Sequence, residues 1–178
     1  MSRIKIFSLN IIFSIFFICI CICNSDAQTN NQSSDSNNYS FQIPVPTGYV
    51  NDYAGLFTDE QKDSLTSIIS EHEKQTTNQI AIAIFDTLKI PTDSFDSYTL
   101  HIFNNWGVGQ KDKNNGVLIT ICLKMRMIRI QNGYGIEKKL SDSETKQIID
   151  SIIIPEFKNG DFYEGTKKAV LAIIKKIT

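Results

Sequence analysis

The run Ile80-Ala81-Ile82-Ala83-Ile84-Phe85 is apolar at every position, and so is Val117-Leu118-Ile119-Thr120-Ile121-Cys122-Leu123 apart from one threonine. Uninterrupted apolar runs of this length suit β-strands covered on both faces. Between them, Ser94 precedes a stripe of Phe95, Tyr98, Ile102, Phe103 and Trp106 at helical spacing, and Gly107 is placed to end that helix. Strand, helix and strand in this order form a parallel pair joined by a right-handed crossover.

Working outward, Thr58 with Gln61 forms a capping box for a helix whose stripe carries Leu65, Ile68, Ile69 and His72. Residues Arg126 to Gln131 alternate partly and read as a third strand, paired to the second through a tight turn at Lys124-Met125. Ser141 with Glu144 caps another helix, which Pro155 is expected to stop. Asp161 with Glu164 is expected to cap the last helix, which carries Ala169, Val170, Ile173, Ile174 and Ile177. The order predicts an α/β sandwich, a small sheet covered by about four helices.

The chain has 178 residues with 42% hydrophobic and 21% charged positions and a formal net charge of −1. That length suits one globular domain. A near-neutral balance carries no electrostatic footprint for nucleic acid. Arg3 and Lys5, the apolar run from Ile11 to Cys23, and the small residues Ser25 and Ala27 form a secretory signal pattern over residues 1–27. The alternatives are an uncleaved anchor from about Ile6, or lipidation, which Ile20 before Cys21 and Ile22 before Cys23 disfavour. Residues 28–43 read as a polar flexible linker and 44–178 as the domain, with no spanning segment left after signal cleavage. The exported form keeps Cys122 alone, which reads as a buried, inert thiol.

No P-loop, H-E-x-x-H or G-x-S-x-G motif occurs, and Gly107-Val108-Gly109 and Gly133-Tyr134-Gly135 read as turns. With two scattered histidines, His72 packed and His101 on a helix surface, a tetrahedral zinc site is not indicated. What remains is oxygen chemistry at element ends: Asp52, Asp86, Asp93, Asp112, Asn114, Asn115, Asn132 and Glu137. Carboxylate and amide oxygens suit hard cations, although the same residues are ordinary turn formers.

Read in order, Val50-Asn51-Asp52-Tyr53-Ala54-Gly55-Leu56-Phe57, Trp106-Gly107-Val108-Gly109, Asn114-Asn115-Gly116-Val117-Leu118, Arg129-Ile130 with Gly133-Tyr134-Gly135-Ile136-Glu137, Ile154-Pro155-Glu156-Phe157 and Gly160-Asp161-Phe162 form a specific set. The set resembles the TPM domain, the thylakoid-lumen-phosphatase-like family of exported proteins, from about Pro44 to the C-terminus. The resemblance implies a Rossmann-like three-layer α/β sandwich, periplasmic or extracellular, with a divalent cation, most often calcium, and an acid phosphatase activity in some members. Other members are repair or assembly factors, which implies an envelope protein as partner. Two features depart from the family. Many relatives continue into a membrane helix and Gly-rich tail, whereas Thr178 follows an amphipathic helix here, and the family's acidic-basic pair after the second long strand is Lys124-Met125-Arg126.

Two functions follow as expectations. In a metal-assisted phosphomonoesterase, Asp52 or Asp86 would be nucleophile or base, and Lys124 or Arg126 would offset phosphate charge. In a non-catalytic calcium-stabilised module, Asp112, Asn114, Asn115 and Glu137 would hold the ion where the strand hairpin brings their loops together, with Asp52 joining if its loop reaches them. The topology places Asp52 with Asp86, Asp93 and the Lys124–Arg126 turn, although the segment before the first helix leaves Asp52 free to join either group.

Overall fold

The computed structural model describes residues 42–178, so the expected signal segment and nearly all of the linker lie outside the described residues. The elements are β1 (Val50–Asp52), α1 (Asp59–Thr76), β2 (Gln79–Phe85), a 3-10 turn (Thr92–Ser94), α2 (Phe95–Trp106), β3 (Gly116–Cys122) and β4 (Met127–Asn132). They are followed by α3 (Asp142–Ile148), a π turn (Ile149–Ile153), α4 (Ile154–Lys158) and α5 (Phe162–Ile177).

The four strands form one mixed sheet in the order β1-β2-β3-β4. β1 and β3 both run parallel to β2, with Asp52 opposite Ile84 and Gln79 opposite Gly116. β4 returns antiparallel, with Cys122 opposite Met127 and Val117 opposite Asn132. The expected parallel pair is therefore present, and the chain adds a short edge strand, β1, that the apolar pattern does not announce.

Alternation of side chains sorts β2 between two cores. Ile80, Ile82 and Ile84 join Leu65 and Ile69 of α1 and Val170, Ile173 and Ile177 of α5 on one face. Ala83 and Phe85 meet Phe95, Tyr98 and Ile102 of α2 on the other. Both faces are covered, as the uninterrupted apolar runs require, and the architecture is a three-layer α/β sandwich. Cys122 is buried and free, and burial pushes its thiol pKa up.

Helix ends follow the sequence in three places. Thr58 and Gln61 exchange side-chain and backbone bonds in a full capping box, as do Ser141 and Glu144. Gly107 is left-handed at φ 62 and ends α2, with its N–H on Asn104 and the Val108 N–H on Phe103.

Two expectations about helix ends are corrected. Pro155 does not stop the third helix. The π turn places the Ile154 N–H on the Ile149 carbonyl, five residues back, and Pro155 then stands in the first turn of α4, where an N–H is dispensable. Nor does Asp161 cap α5 through its side chain. Its backbone stands at φ −88, ψ 61, and it contributes only its carbonyl, to Gly165 N–H at 3.0 Å.

The domain begins slightly before Pro44. Tyr98 donates its hydroxyl to the Gln42 carbonyl at 3.4 Å, Trp106 donates Nε1 to the Pro44 carbonyl at 2.7 Å, and Ile43 packs against the α2 core. Among the described residues no helix is long and apolar enough to cross a membrane.

Candidate functional site

Parallel sheets present loops at the carboxyl ends of their strands, where ligands commonly bind. Asp52 and Asp86 both stand at that end, on neighbouring strands. Asp52 is already committed. One carboxylate oxygen accepts the Ala54 N–H at 3.1 Å and the other the Phe57 N–H at 2.8 Å, so the side chain folds the loop that leads into α1. Tyr53 continues the β1–β2 ladder through its N–H to Ile84, and its ring stacks on Phe85 at 5.3 Å.

Asp86 pairs with Lys124 at 2.6 Å, and its carbonyl accepts the Lys124 N–H at 2.8 Å, which ties the β2 end to the β3–β4 turn. Both side chains are about half exposed, a setting in which an ion pair contributes little to stability. Arg126 ends the turn. Its N–H reaches the Leu123 carbonyl at 3.1 Å, and its backbone is left-handed at φ 54. Asp93 stands in the 3-10 turn before α2, accepting from the Ser94 hydroxyl at 3.3 Å.

The opposite end of the sheet is a seam of loops. Asn115 is buried. Its Oδ1 accepts the Gln110 N–H at 2.8 Å, and its Nδ2 donates to the Thr77 carbonyl at 2.7 Å. Lys113 donates Nζ to the Thr77 hydroxyl at 2.8 Å. Gly135 donates its N–H to the Asn114 carbonyl at 3.0 Å, and Gly133 to the Gly116 carbonyl at 2.9 Å. The two chains approach so closely that a Cβ on Gly135 would lie 2.0 Å from the Lys113 carbonyl oxygen. Asp112, Asn114 and Glu137 are exposed around this seam.

The structure thus brings the Asp112–Asn115 and Gly133–Glu137 loops together and separates them from Asp52. Asp52 registers with Ile84 and Gly116 with Gln79, five positions apart on β2, which is roughly 16 Å along the strand. Asp52 therefore belongs with Asp86, and one ion cannot take ligands from both ends.

Asp112 and Glu137 supply exposed carboxylates, and Asn132, immediately before Gly133, has a buried Oδ1 with no hydrogen-bond partner. The Asn132 Nδ2, by contrast, donates to the Leu140 carbonyl and the Thr145 hydroxyl. Carboxylate, amide and carbonyl oxygens are the donor types that calcium accepts in irregular shells. Among the described residues no group of three His, Cys, Asp or Glu side chains is assembled, so amide and carbonyl oxygens would complete the shell.

Sequence reasoning passed over a third feature. Leu123, Ile128, Ile154, Phe157 and Phe162 line a cleft together with Arg126 and Lys158. Its only sequence signal is that Ile154 to Phe157 and Gly160 to Phe162 are among the quoted motifs.

A mixed four-stranded sheet between α2 on one face and α1, α3, α4 and α5 on the other defines a small three-layer α/β domain. A TPM domain match spans residues 50–176, and the chain belongs to the TPM domain family. Three protein structures determined by NMR are similar. The N-terminal domain of a P. gingivalis protein is 28% identical with a TM-score of 0.66, over 76% of this chain and 92% of that one. The BA42 protein of the psychrophilic bacterium Bizionia argentinensis is 23% identical with a TM-score of 0.60, over 71% and 84%. The N-terminal domain of the cg2496 protein from Corynebacterium glutamicum shares the fold at 13% identity and a TM-score of 0.56, over 78% and 86%. No curated protein matches this chain.

Proposed function

We propose that this chain is an exported, phosphatase-like TPM module that binds a divalent cation, calcium by its donor chemistry, and serves an envelope protein partner as a non-catalytic binding or assembly factor. The observation that supports the cation is the unpartnered Asn132 Oδ1 at the end of β4, one residue before the loop that carries Glu137 and meets the Asp112–Asn115 loop. Asp112, Asn114, Asn132 and Glu137 would hold it, and the ion would clamp the loop before β3 to the loop after β4. The engagement of both Asp52 oxygens with backbone N–H groups favours a structural role for that residue.

Phosphomonoester hydrolysis is the second reading, favoured by the position of Asp86, Lys124 and Arg126 at the carboxyl ends of the strands. Asp86 would act as base or nucleophile there, and Arg126 would meet the phosphate charge.

Calorimetric titration with calcium, paired with a p-nitrophenyl phosphate assay, separates the readings. The binding module predicts saturable calcium binding that Glu137→Gln weakens by about tenfold or more and Asp52→Asn leaves unchanged. It also predicts no calcium-dependent turnover. Calcium binding that follows Asp52 instead of Glu137 removes the seam site, and turnover abolished by Asp86→Asn establishes the hydrolase.

A further inference from the structure

A cleft of about 550 Å³ opens between the β3–β4 turn and the α4–α5 corner. Its walls are apolar: Leu123 and Ile128 from the hairpin, Ile154 and Phe157 from α4, and Phe162 from the start of α5. The Phe157 and Phe162 rings stand 4.8 Å apart. No carboxylate lines it, and its two charged residues are Arg126 and Lys158.

Neither cation is neutralised from within the domain. Lys62, Lys124, Arg129, Lys146, Lys168 and Lys176 each have a carboxylate partner, whereas among the described residues no ion pair reaches Arg126 or Lys158. Arg126 also holds a left-handed backbone, at the place in a hairpin turn where glycine removes the steric cost. A side chain kept on a strained backbone points to a use for that side chain.

We propose that this cleft binds a single-chain amphiphile with an anionic head, a fatty-acid carboxylate. The acyl chain lies against Leu123, Ile128, Ile154, Phe157 and Phe162, and the carboxylate is met by the Arg126 guanidinium and the Lys158 ammonium. The volume falls within the small-ligand range, and an apolar lining with few polar groups is the usual form of such sites. A peptide is a poorer occupant, because its amides would be buried against walls that offer almost no partners. The cleft lies at the opposite end of β3 from the Asp112–Glu137 seam, so this assignment is independent of the cation.

The test is calorimetric titration of the full chain with dodecanoate and with dodecan-1-ol, alongside NMR of the isoleucine methyl groups. Dodecanoate should bind saturably at one equivalent, shift the Ile128 and Ile154 methyl signals, and bind at least about tenfold tighter than the alcohol. Arg126→Gly should weaken dodecanoate by about tenfold or more while raising the melting temperature, because it removes both the guanidinium and the left-handed strain. Lys158→Gln should weaken binding at an unchanged melting temperature. Parental affinity in Arg126→Gly, equal binding of the alcohol, or capture of anionic phospholipid vesicles without dodecanoate binding would each overturn the assignment.

Discussion

The Asn115 side chain joins three segments: its Nδ2 donates to the Thr77 carbonyl at 2.7 Å while its Oδ1 accepts the Gln110 N–H at 2.8 Å. Thr77 is the left-handed residue that ends α1, at φ 67, and Gln110 follows the turn that ends α2. The first residue of β3 is therefore positioned by one amide that holds the exits of both preceding helices.

Asn115→Ala should destabilise the domain by about 1–2 kcal/mol, because it leaves two part-buried backbone groups without their partners. Asn115→Asp should also be destabilising, since it removes the donor facing the Thr77 carbonyl. Urea unfolding of the two variants checks this. Parental stability in both would mean that the surrounding turns hold without the bracket.

Asp52→Ala should cost about 1–2 kcal/mol, in the manner of a lost helix cap, through the Ala54 and Phe57 N–H groups it leaves unpaired. Amide exchange should accelerate at Phe57 and in the first turn of α1. An unchanged melting temperature in Asp52→Ala would show that the loop keeps its form without the carboxylate.

One helix start that follows the sequence and one that departs from it give a paired measurement. Thr58→Ala should lose about 1 kcal/mol, because Thr58 accepts the Gln61 N–H in a complete capping box. Asp161→Ala should lose much less than that, because the Asp161 side chain makes no capping bond. Equal losses by denaturant titration would restore Asp161 as a side-chain cap.

The legible parts of the fold are those where the pattern is dense. β2 and β3 announce themselves because both faces are buried and every position must be apolar. β1 escapes because it is three residues long and its central residue, Asn51, is buried as a polar group. Asn51 is held by Thr47, Gly48 and Ile82 rather than by apolar contact. The π turn escapes too, since a proline within a helical pattern is the ordinary signal of a stop, and the five-residue bond that accommodates Pro155 has no composition of its own. At the sites, the hairpin was enough to bring the Asn115 and Gly133 loops together, whereas Asp52 stayed open between the two ends until β1, which the pattern does not announce, set it opposite Ile84. The Asp52 bond to the amide five residues on depends on loop geometry that spacing does not reveal. The cleft draws on four separated segments, and no local pattern connects Leu123, Ile128, Phe157 and Phe162.

Acid should weaken the domain in two stages, assigned to different residues. Burial, with the Lys139 charge a smaller cause, holds the His72 pKa below its ordinary 6.5, so the folded state resists a proton that the unfolded chain accepts. Stability carried by neutral His72 is therefore present above pH 6.5 and declines as pH falls through its lowered folded value. The Lys176 ammonium beside Glu144, followed by the Ser141 N–H, holds that carboxyl down to about 2, against an ordinary 4.5. Its contribution is complete above pH 4.5 and is lost between there and about 2. Melting temperature recorded against pH should show both limbs. His72→Gln should flatten the upper limb alone, and Glu144→Gln should flatten the lower limb alone. The lower limb should shrink in high salt, because the pair is at the surface and screened, whereas the upper limb should persist, because desolvation is its main cause. A lower limb that survives Glu144→Gln would assign acid sensitivity to other carboxylates.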